Sequence, residues 1–154
     1  MRAVDAFLLA LDDAWSHDWE SLMSVLKGVT EEEAVWQAPC YRHEPRVPGA
    51  PPPGSIRWQV VHVAECKASY TLRLCGNREA RSPDVPPLGT STFVQDLAAL
   101  HEAHRAEREE IAAIPDAELT PAVADFLTNI IRHDIWHAGQ IAVARRLWRK
   151  RDGR

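Results

Sequence analysis

Hydrophobic residues recur at steps of three and four along proline-free parts of the chain, a spacing typical of amphipathic α-helices. The first such segment covers residues 4–27 and is followed by Gly28, a residue that favours a helix end. The second covers residues 56–75, is apolar on most sides and is therefore predicted to be largely buried. Two further segments begin near residues 92 and 120. No alternating pattern predicts a β-strand.

Helix-start signals stand at the heads of these segments. Side-chain oxygens of Ser and Thr accept hydrogen bonds from the first backbone amides of a helix, and proline is tolerated at the first helical position. The signals are Thr30 with Glu33, Ser55, Thr92 with Gln95, and Thr120 followed by Pro121. The pair at residues 30 and 33 predicts only a short turn, and the others predict the three later helices.

Prolines separate the predicted helices. Six of the 11 prolines fall within residues 39–53, a stretch that cannot be helical because proline lacks the amide donor. Four long helices around one core predict an all-α four-helix bundle, with residues 39–53 as a long crossover connection between helices 1 and 2. A length of 154 residues fits a single domain over residues 1–154.

Composition narrows the class of protein. A hydrophobic fraction of 45% and a charged fraction of 26% are ordinary for a globular domain. The net charge of -4 disfavours a nucleic-acid partner. No apolar run approaches the roughly 18–20 residues of a membrane span, and the N-terminal residues lack the features of a secretory signal. Three cysteines without a CxxC pair favour reduced thiols. We therefore expect a cytoplasmic protein without a membrane partner.

Candidate chemistry lies in the histidines. His133 and His137 are four residues apart and project from one helix face. His62 lies in the middle of the predicted buried helix. The inward stripe of the last helix is predicted to comprise Phe126, Ile130, His133, His137, Gln140, Ala144 and Leu147. Three imidazoles from two facing helices would supply three metal ligands and leave a position open, as in catalytic zinc sites. The alternative is a set of ordinary core histidines, because such a pair alone is more often not a metal site.

Known metal motifs do not match. In the run from His133 to His137, Asp134 stands where the zinc-protease motif has glutamate. The Glu-x-x-His pairs of a di-iron site are missing, and no feature selects for haem. Asp134 lies about 100° round the helix from His133 and is expected to point away from an ion.

Four more residues are candidates for the site or its pocket. Glu65 could be a ligand, a hydrogen-bond acceptor for His62 or a surface group, and the acceptor role is favoured. Cys66 could be a ligand or a small buried hydrophobe. His104 could be a ligand or a polar group at a substrate pocket. Gln140 could hydrogen-bond near the site or pack between helices.

Two segments resemble a known family. Residues 55–65, SIRWQVVHVAE, and 131–141, IRHDIWHAGQI, resemble the second-helix and fourth-helix signatures of DinB/YfiT-like proteins. The resemblance implies a four-helix bundle with a crossover connection and a divalent metal held by His62, His133 and His137. It also implies a homodimer. The family includes metal-dependent hydrolases, thiol S-transferases and a mycothiol-dependent maleylpyruvate isomerase, whose second domain this chain does not match.

The function hypotheses follow from an open three-histidine site. A metal ion deprotonates a coordinated thiol and also lowers the pKa of bound water. Because no carboxylate base is well placed, we favour activation of a low-molecular-weight thiol that attacks a small-molecule substrate. A hydrolase using metal-activated water, a non-enzymatic metal-binding stress protein and a metal-free interaction bundle are the alternatives. Zinc is the favoured ion, with nickel, iron or manganese as other candidates.

Overall fold

The structure is a computed structural model that describes residues 2–39, 50–81 and 92–151. Within these ranges every regular element is helical, which confirms the all-α class. The helices are α1 (Ala3–Ser16), α2 (Leu22–Leu26), α3 (Glu31–Val35), α4 (Ile56–Leu74), α5 (Phe93–Ala113) and α6 (Pro121–Arg151), with a 3-10 turn at Asp116–Glu118 before α6. Most of residues 39–53, the cluster at residues 83–87, Cys40 and His43 lie outside the described residues, so the path of the crossover stays a prediction.

Local sequence signals place the helix starts correctly. The Ser55 side chain accepts a hydrogen bond from the Trp58 amide at the start of α4. At the start of α5 the Thr92 side chain accepts a hydrogen bond from the Gln95 amide, and at the start of α6 the Thr120 side chain accepts one from the Val123 amide. These hydrogen bonds use amides that have no partner inside the helix. Because each signal depends only on residues three positions apart, it can be read from the sequence.

One helix prediction is wrong. Residues 4–27 do not form a single helix, because the chain breaks between α1 and α2. Glu20 adopts a positive φ of 63°, and the side chain of Ser21 then caps α2 by accepting from the Ser24 amide. Hydrophobic spacing continues across the break through Leu22, which packs in the core. The N-cap residue Ser21 was the sequence signal for the second start.

The long helices pack around a core with two apolar clusters. α1 and α4 each pack against both α5 and α6, and α2 adds to the α6 contact. One cluster includes Trp15, Val60, Leu100 and Ile141, and the other includes Val4, Leu8, Ile111, Leu127 and Ile130. Burial of these side chains stabilises the fold by about 1.5–3 kcal/mol for each large residue.

A charged group separates the two apolar clusters along three helices. Lys67 on α4, Glu107 on α5 and Asp134 on α6 each fall, in sequence, between residues of one cluster and residues of the other. All three are essentially inaccessible to solvent. The lysine ammonium lies 2.7 Å from a carboxylate oxygen of each partner. This buried ion-pair network ties three helices together at one level.

The buried face of α6 differs from the predicted stripe. Leu127, Ile130, Asp134, His137, Ala138 and Ile141 are its buried residues. Leu147, which we predicted to point inward, is 39% exposed, whereas Asp134 is buried. The predicted stripe left out Asp134, which is buried in an ion pair with the ammonium of Lys67. Among the described residues, no helix combines the length and hydrophobicity needed to span a membrane.

Candidate metal centre

Three histidine rings converge between α4 and α6. The ring centroids of His133 and His137 are 4.4 Å apart. That of His62 lies 4.9 Å from His137 and 5.4 Å from His133. The Nε2 atoms of His133 and His137 are 3.2 Å apart. The four-residue spacing on α6 and the packing of α4 against α6 therefore bring together the three histidines identified in the sequence.

Neighbouring side chains hold the ring orientations. The Trp58 ring stacks on His62 with an interplanar angle of 4°. The edge of Tyr70 meets His133 at a centroid distance of 5.8 Å. Nδ1 of His137 lies within hydrogen-bond distance of Oε1 of Gln59, which is buried on α4. Because an amide oxygen only accepts, Nδ1 of His137 carries the proton and Nε2 keeps its lone pair.

Gln59 was not identified from the sequence. A metal-binding histidine usually donates its second ring N–H to a nearby acceptor, which fixes the tautomer. Gln59 has this relation to His137, and it lies three residues before His62 on the same helix. That spacing was the available signal, since residues three apart share a helix face. The predicted contact of Glu65 with His62 concerns a different ring and stays a prediction.

The electrostatics favour neutral imidazoles. Burial lowers the pKa of His62. Burial, followed by repulsion from neighbouring cationic groups, lowers the pKa of His133 to about 4 and that of His137 to about 3. All three rings are therefore unprotonated at neutral pH, the state in which imidazole binds a metal ion.

The donor set fits a divalent transition metal. Imidazole nitrogens suit zinc, copper, iron and nickel. Nδ1 of His133 is buried and has no hydrogen-bond partner among the described residues. An ion shared by the two facing Nε2 atoms would leave this Nδ1 unpaired as well, so the donor set and the 3.2 Å separation of the Nε2 atoms carry the assignment. The cluster is thus a candidate metal site.

Among the described cysteines, Cys66 is the one that approaches this site. It lies one turn after His62, and its Sγ is 3.6 Å from Nε2 and 3.9 Å from Nδ1 of that ring. Ligand atoms of His62, Cys66 and His133 all lie within 4.8 Å of one another. Burial, with a further contribution from the Glu65 carboxylate, raises the pKa of the thiol to about 11. Without a cation, the sulfur is therefore a protonated thiol.

His104 lies in a different environment. Its ring stacks on Trp15 with centroids 3.7 Å apart and an interplanar angle of 3°. It groups with Glu107 and Asp134, whose potential ligand atoms lie within 4.8 Å of its own. A cation, the ammonium of Lys67, is already within 2.7 Å of both carboxylates. We therefore interpret this second group as a buried ion-pair network.

The same network explains the position of Asp134. Burial opposes the charged form of Lys67, but the two carboxylates outweigh this effect and raise its pKa. Burial also raises the pKa of Glu107 to about 7. Burial likewise raises the pKa of Asp134, so one ammonium faces two carboxyl groups that both hold a proton more readily than usual. Asp134 is engaged by Lys67, as expected for a side chain that points away from the histidines.

Gln140 lines a groove beside α6. The groove has a volume of about 270 Å³ and is mostly apolar. Its lining includes Trp136, Gly139 and Val143 of α6, together with Ala38 and Gly54, which flank the undescribed residues 40–49. Gln59 also lines it, so the groove and the histidine cluster share that side chain.

Taken together, the architecture and the site define a helical bundle with a histidine cluster between two helices. The family model of the DinB superfamily matches residues 14–141. This match covers most of the chain, which therefore belongs to the DinB superfamily, a family of metal-binding helical bundles. No curated protein and no solved structure matches the chain.

Proposed function

We propose that the chain binds one divalent transition metal through His62, His133 and His137 and uses it to activate a low-molecular-weight thiol. The observation that carries the proposal is the convergence of three neutral imidazoles, with two Nε2 atoms 3.2 Å apart. Zinc is the favoured ion for this donor set. When bound, the ion would supply a positive charge that stabilises a thiolate.

Thiol chemistry is favoured over hydrolysis because the carboxylate adjacent in sequence to His133 is engaged elsewhere. A metal hydrolase commonly needs a general base within hydrogen-bond reach of the attacking water. Asp134, the acidic residue next to a proposed ligand, is instead held by the ammonium of Lys67. A thiol activated directly by the ion does not require that base. Asp134 therefore supports the bundle, whereas the histidines provide the chemistry.

The apolar groove is the proposed site for the small-molecule substrate. Its lining by Trp136, Val143 and Leu147 suits an apolar electrophile, and Gln59 and Gln140 offer polar contacts. Most small-molecule sites combine an apolar lining with a few polar groups in this way. Since Gln59 also contacts His137, the groove adjoins the proposed ion site.

An activity screen tests the proposal. The zinc-loaded protein is assayed for consumption of low-molecular-weight thiols in the presence of apolar electrophiles. We expect activity that disappears in His62→Ala and His133→Ala but persists in His101→Ala, a matched exposed histidine on α5. Turnover that is unchanged in both site variants would contradict the proposal.

A non-enzymatic metal-binding role is the second candidate, because the approach of Cys66 to His62 could close the site. A metal ion with four protein ligands usually has a structural role, whereas an ion with an open position usually has a catalytic role.

The homodimer remains a prediction, which light scattering in solution would test.

A further inference from the structure

A second groove lies between α2 and the C-terminal part of α6, and it is lined mainly by cationic side chains. Its volume is about 560 Å³, which is a usual size for a small-molecule site. The lining residues are Ser24, Val25, Ala142, Arg145, Arg146, Arg149 and Lys150. None of them is acidic, and none lines the apolar groove beside Gln140. We call this feature the basic groove.

Arg145 fixes one wall of the basic groove. Its guanidinium donates hydrogen bonds to Oε1 of Glu33 at 2.9 Å and to the backbone carbonyl oxygens of Val25 and Lys27 at 2.9 and 3.0 Å. Glu33 is buried, so its carboxylate and Arg145 form a partly buried ion pair that joins α3 to α6. These contacts hold the wall in place before any ligand arrives, and such preorganisation lowers the cost of binding.

The other three cations of the basic groove carry uncompensated charge. Arg146, Arg149 and Lys150 are exposed, and none forms a hydrogen bond or an ion pair within the part of the chain that the structure describes. Arg149 and Lys150 lie in the last turn of α6, where cations interact favourably with the helix dipole. Arg146 precedes that turn and lies three and four residues from the other two, a spacing at which like charges repel. A bound anion would relieve this repulsion.

We propose that the basic groove binds the diphosphate group of a small soluble molecule. Its three uncompensated positive charges match a diphosphate, in which the terminal phosphoryl group carries roughly 1.5–2 negative charges at neutral pH and the second about one more. Guanidinium groups donate paired hydrogen bonds to phosphate oxygens, and a lysine ammonium adds a point charge. The net charge of -4 on the chain disfavours a long polyanion such as a nucleic acid. This inference goes beyond the proposed function, because none of the proposed ion ligands lines the basic groove.

Isothermal titration calorimetry on the purified chain tests the proposal. The probes are inorganic pyrophosphate and adenosine diphosphate, compared with inorganic phosphate, adenosine and a short single-stranded oligodeoxythymidylate. The groove variants are Arg146→Gln, Arg149→Gln, Lys150→Gln and the triple combination. Arg78→Gln and Arg105→Gln are the matched controls, because each removes one exposed cation elsewhere on the surface. Circular dichroism confirms that each variant is folded.

We expect the wild type to bind one pyrophosphate or one adenosine diphosphate per chain. Inorganic phosphate should bind more weakly, and adenosine should not bind measurably. Each single groove variant should weaken diphosphate binding about two- to fivefold, as for the loss of an exposed ion pair, and the triple variant about 10–100-fold. Both controls should keep the wild-type affinity.

Four results would overturn the proposal. A folded wild type without saturable diphosphate binding would exclude the site. Full affinity in the triple variant would place the diphosphate elsewhere, for example on an ion at the histidine cluster. Equal losses in the controls and in the groove variants would indicate a diffuse effect of surface charge. Tighter binding of the oligodeoxythymidylate than of either diphosphate would assign the basic groove to a nucleic-acid backbone instead.

Discussion

Replacement of Lys67 by methionine tests the interpretation of the buried ion-pair network. The substitution removes the ammonium but keeps an unbranched apolar side chain of similar length. It leaves Glu107 and Asp134 buried without their shared cation. A carboxylate in that position must either stay charged at a high cost or take up a proton.

The loss of unfolding free energy in Lys67→Met can be derived from the protonation of a buried carboxylate. Burial raises the pKa of Asp134 as well as that of Glu107, so without the ammonium Asp134 is held as the protonated acid. With an ordinary pKa of 3.8 for the aspartate and about 1.36 kcal/mol for each unit, protonation costs about 4 kcal/mol at pH 7. At pH 5 the same calculation gives about 2 kcal/mol. The first value lies within the range of about 3–5 kcal/mol measured when one partner of a buried ion pair is removed.

The sign of the pH dependence follows from linkage. In Lys67→Met, folded Asp134 holds a proton that the unfolded chain releases, so stability is lost as the pH rises from 5 to 7. Urea denaturation followed by far-ultraviolet circular dichroism measures the free energy of unfolding at both pH values. The double variant Lys67→Met/Asp134→Asn should abolish this added pH dependence. Groups that titrate in the same way in the variant and in the wild type cancel when the two free energies of unfolding are subtracted.

Arg105 provides a matched control at the surface. It also contacts two carboxylates, those of Glu102 and Glu109, at 2.5 and 2.6 Å. Its side chain is 57% exposed, however, so solvent screens these contacts and Arg105→Met should cost much less than Lys67→Met. If Lys67→Met cost as little as Arg105→Met, or cost the same at pH 5 and pH 7, the reasoning about buried charge would be refuted.

Two further predictions concern Gln59 and His104. Gln59→Ala should weaken zinc binding about 10–100-fold in a chelator competition, because His137 loses the acceptor for its Nδ1 proton. Equal affinities for Gln59→Ala and the control Gln140→Ala would contradict this role. Burial lowers the pKa of His104 to about 3, so the unfolded chain binds a proton that the folded chain does not, and stability is lost as the pH falls below about 6.5. Between pH 7 and pH 5, His104→Gln should therefore lose about 2 kcal/mol less unfolding free energy than the wild type. An equal loss in His104→Gln and in the wild type would exclude the effect.

The helical class and most helix starts could be predicted because their signals are local. Ser55 and Thr92 each accept a hydrogen bond from an amide three residues later, so a short window of sequence contains the whole interaction. The break before Ser21 was missed because the hydrophobic spacing continues through it. There the cap was a better indicator of the boundary than the spacing.

The buried charges could not be predicted from hydrophobic spacing. Lys67, Glu107 and Asp134 are polar in type, and each can be buried only because the other two come from different helices. That condition is a property of tertiary packing and leaves no mark in one segment. The same holds for Gln59, whose partner His137 is 78 positions away in the chain.

The convergence of the three histidines, in contrast, could be anticipated. His133 and His137 share a helix face by their spacing, and the buried character of α4 directs attention to His62. The spacing alone left open whether the rings were core residues or ligands. The structure brings two of the Nε2 atoms to 3.2 Å, and their binding of an ion is the proposal that the zinc measurement tests.

Equilibrium dialysis against zinc, followed by elemental analysis, is the most direct test of the proposed metal site. We predict one zinc ion per chain for the wild type and for His101→Ala, and a loss of stoichiometric zinc in His62→Ala, His133→Ala and His137→Ala. Circular dichroism confirms that each variant is folded. A wild-type chain that holds no zinc after repletion, or three histidine variants that all keep full zinc content, would contradict the proposal.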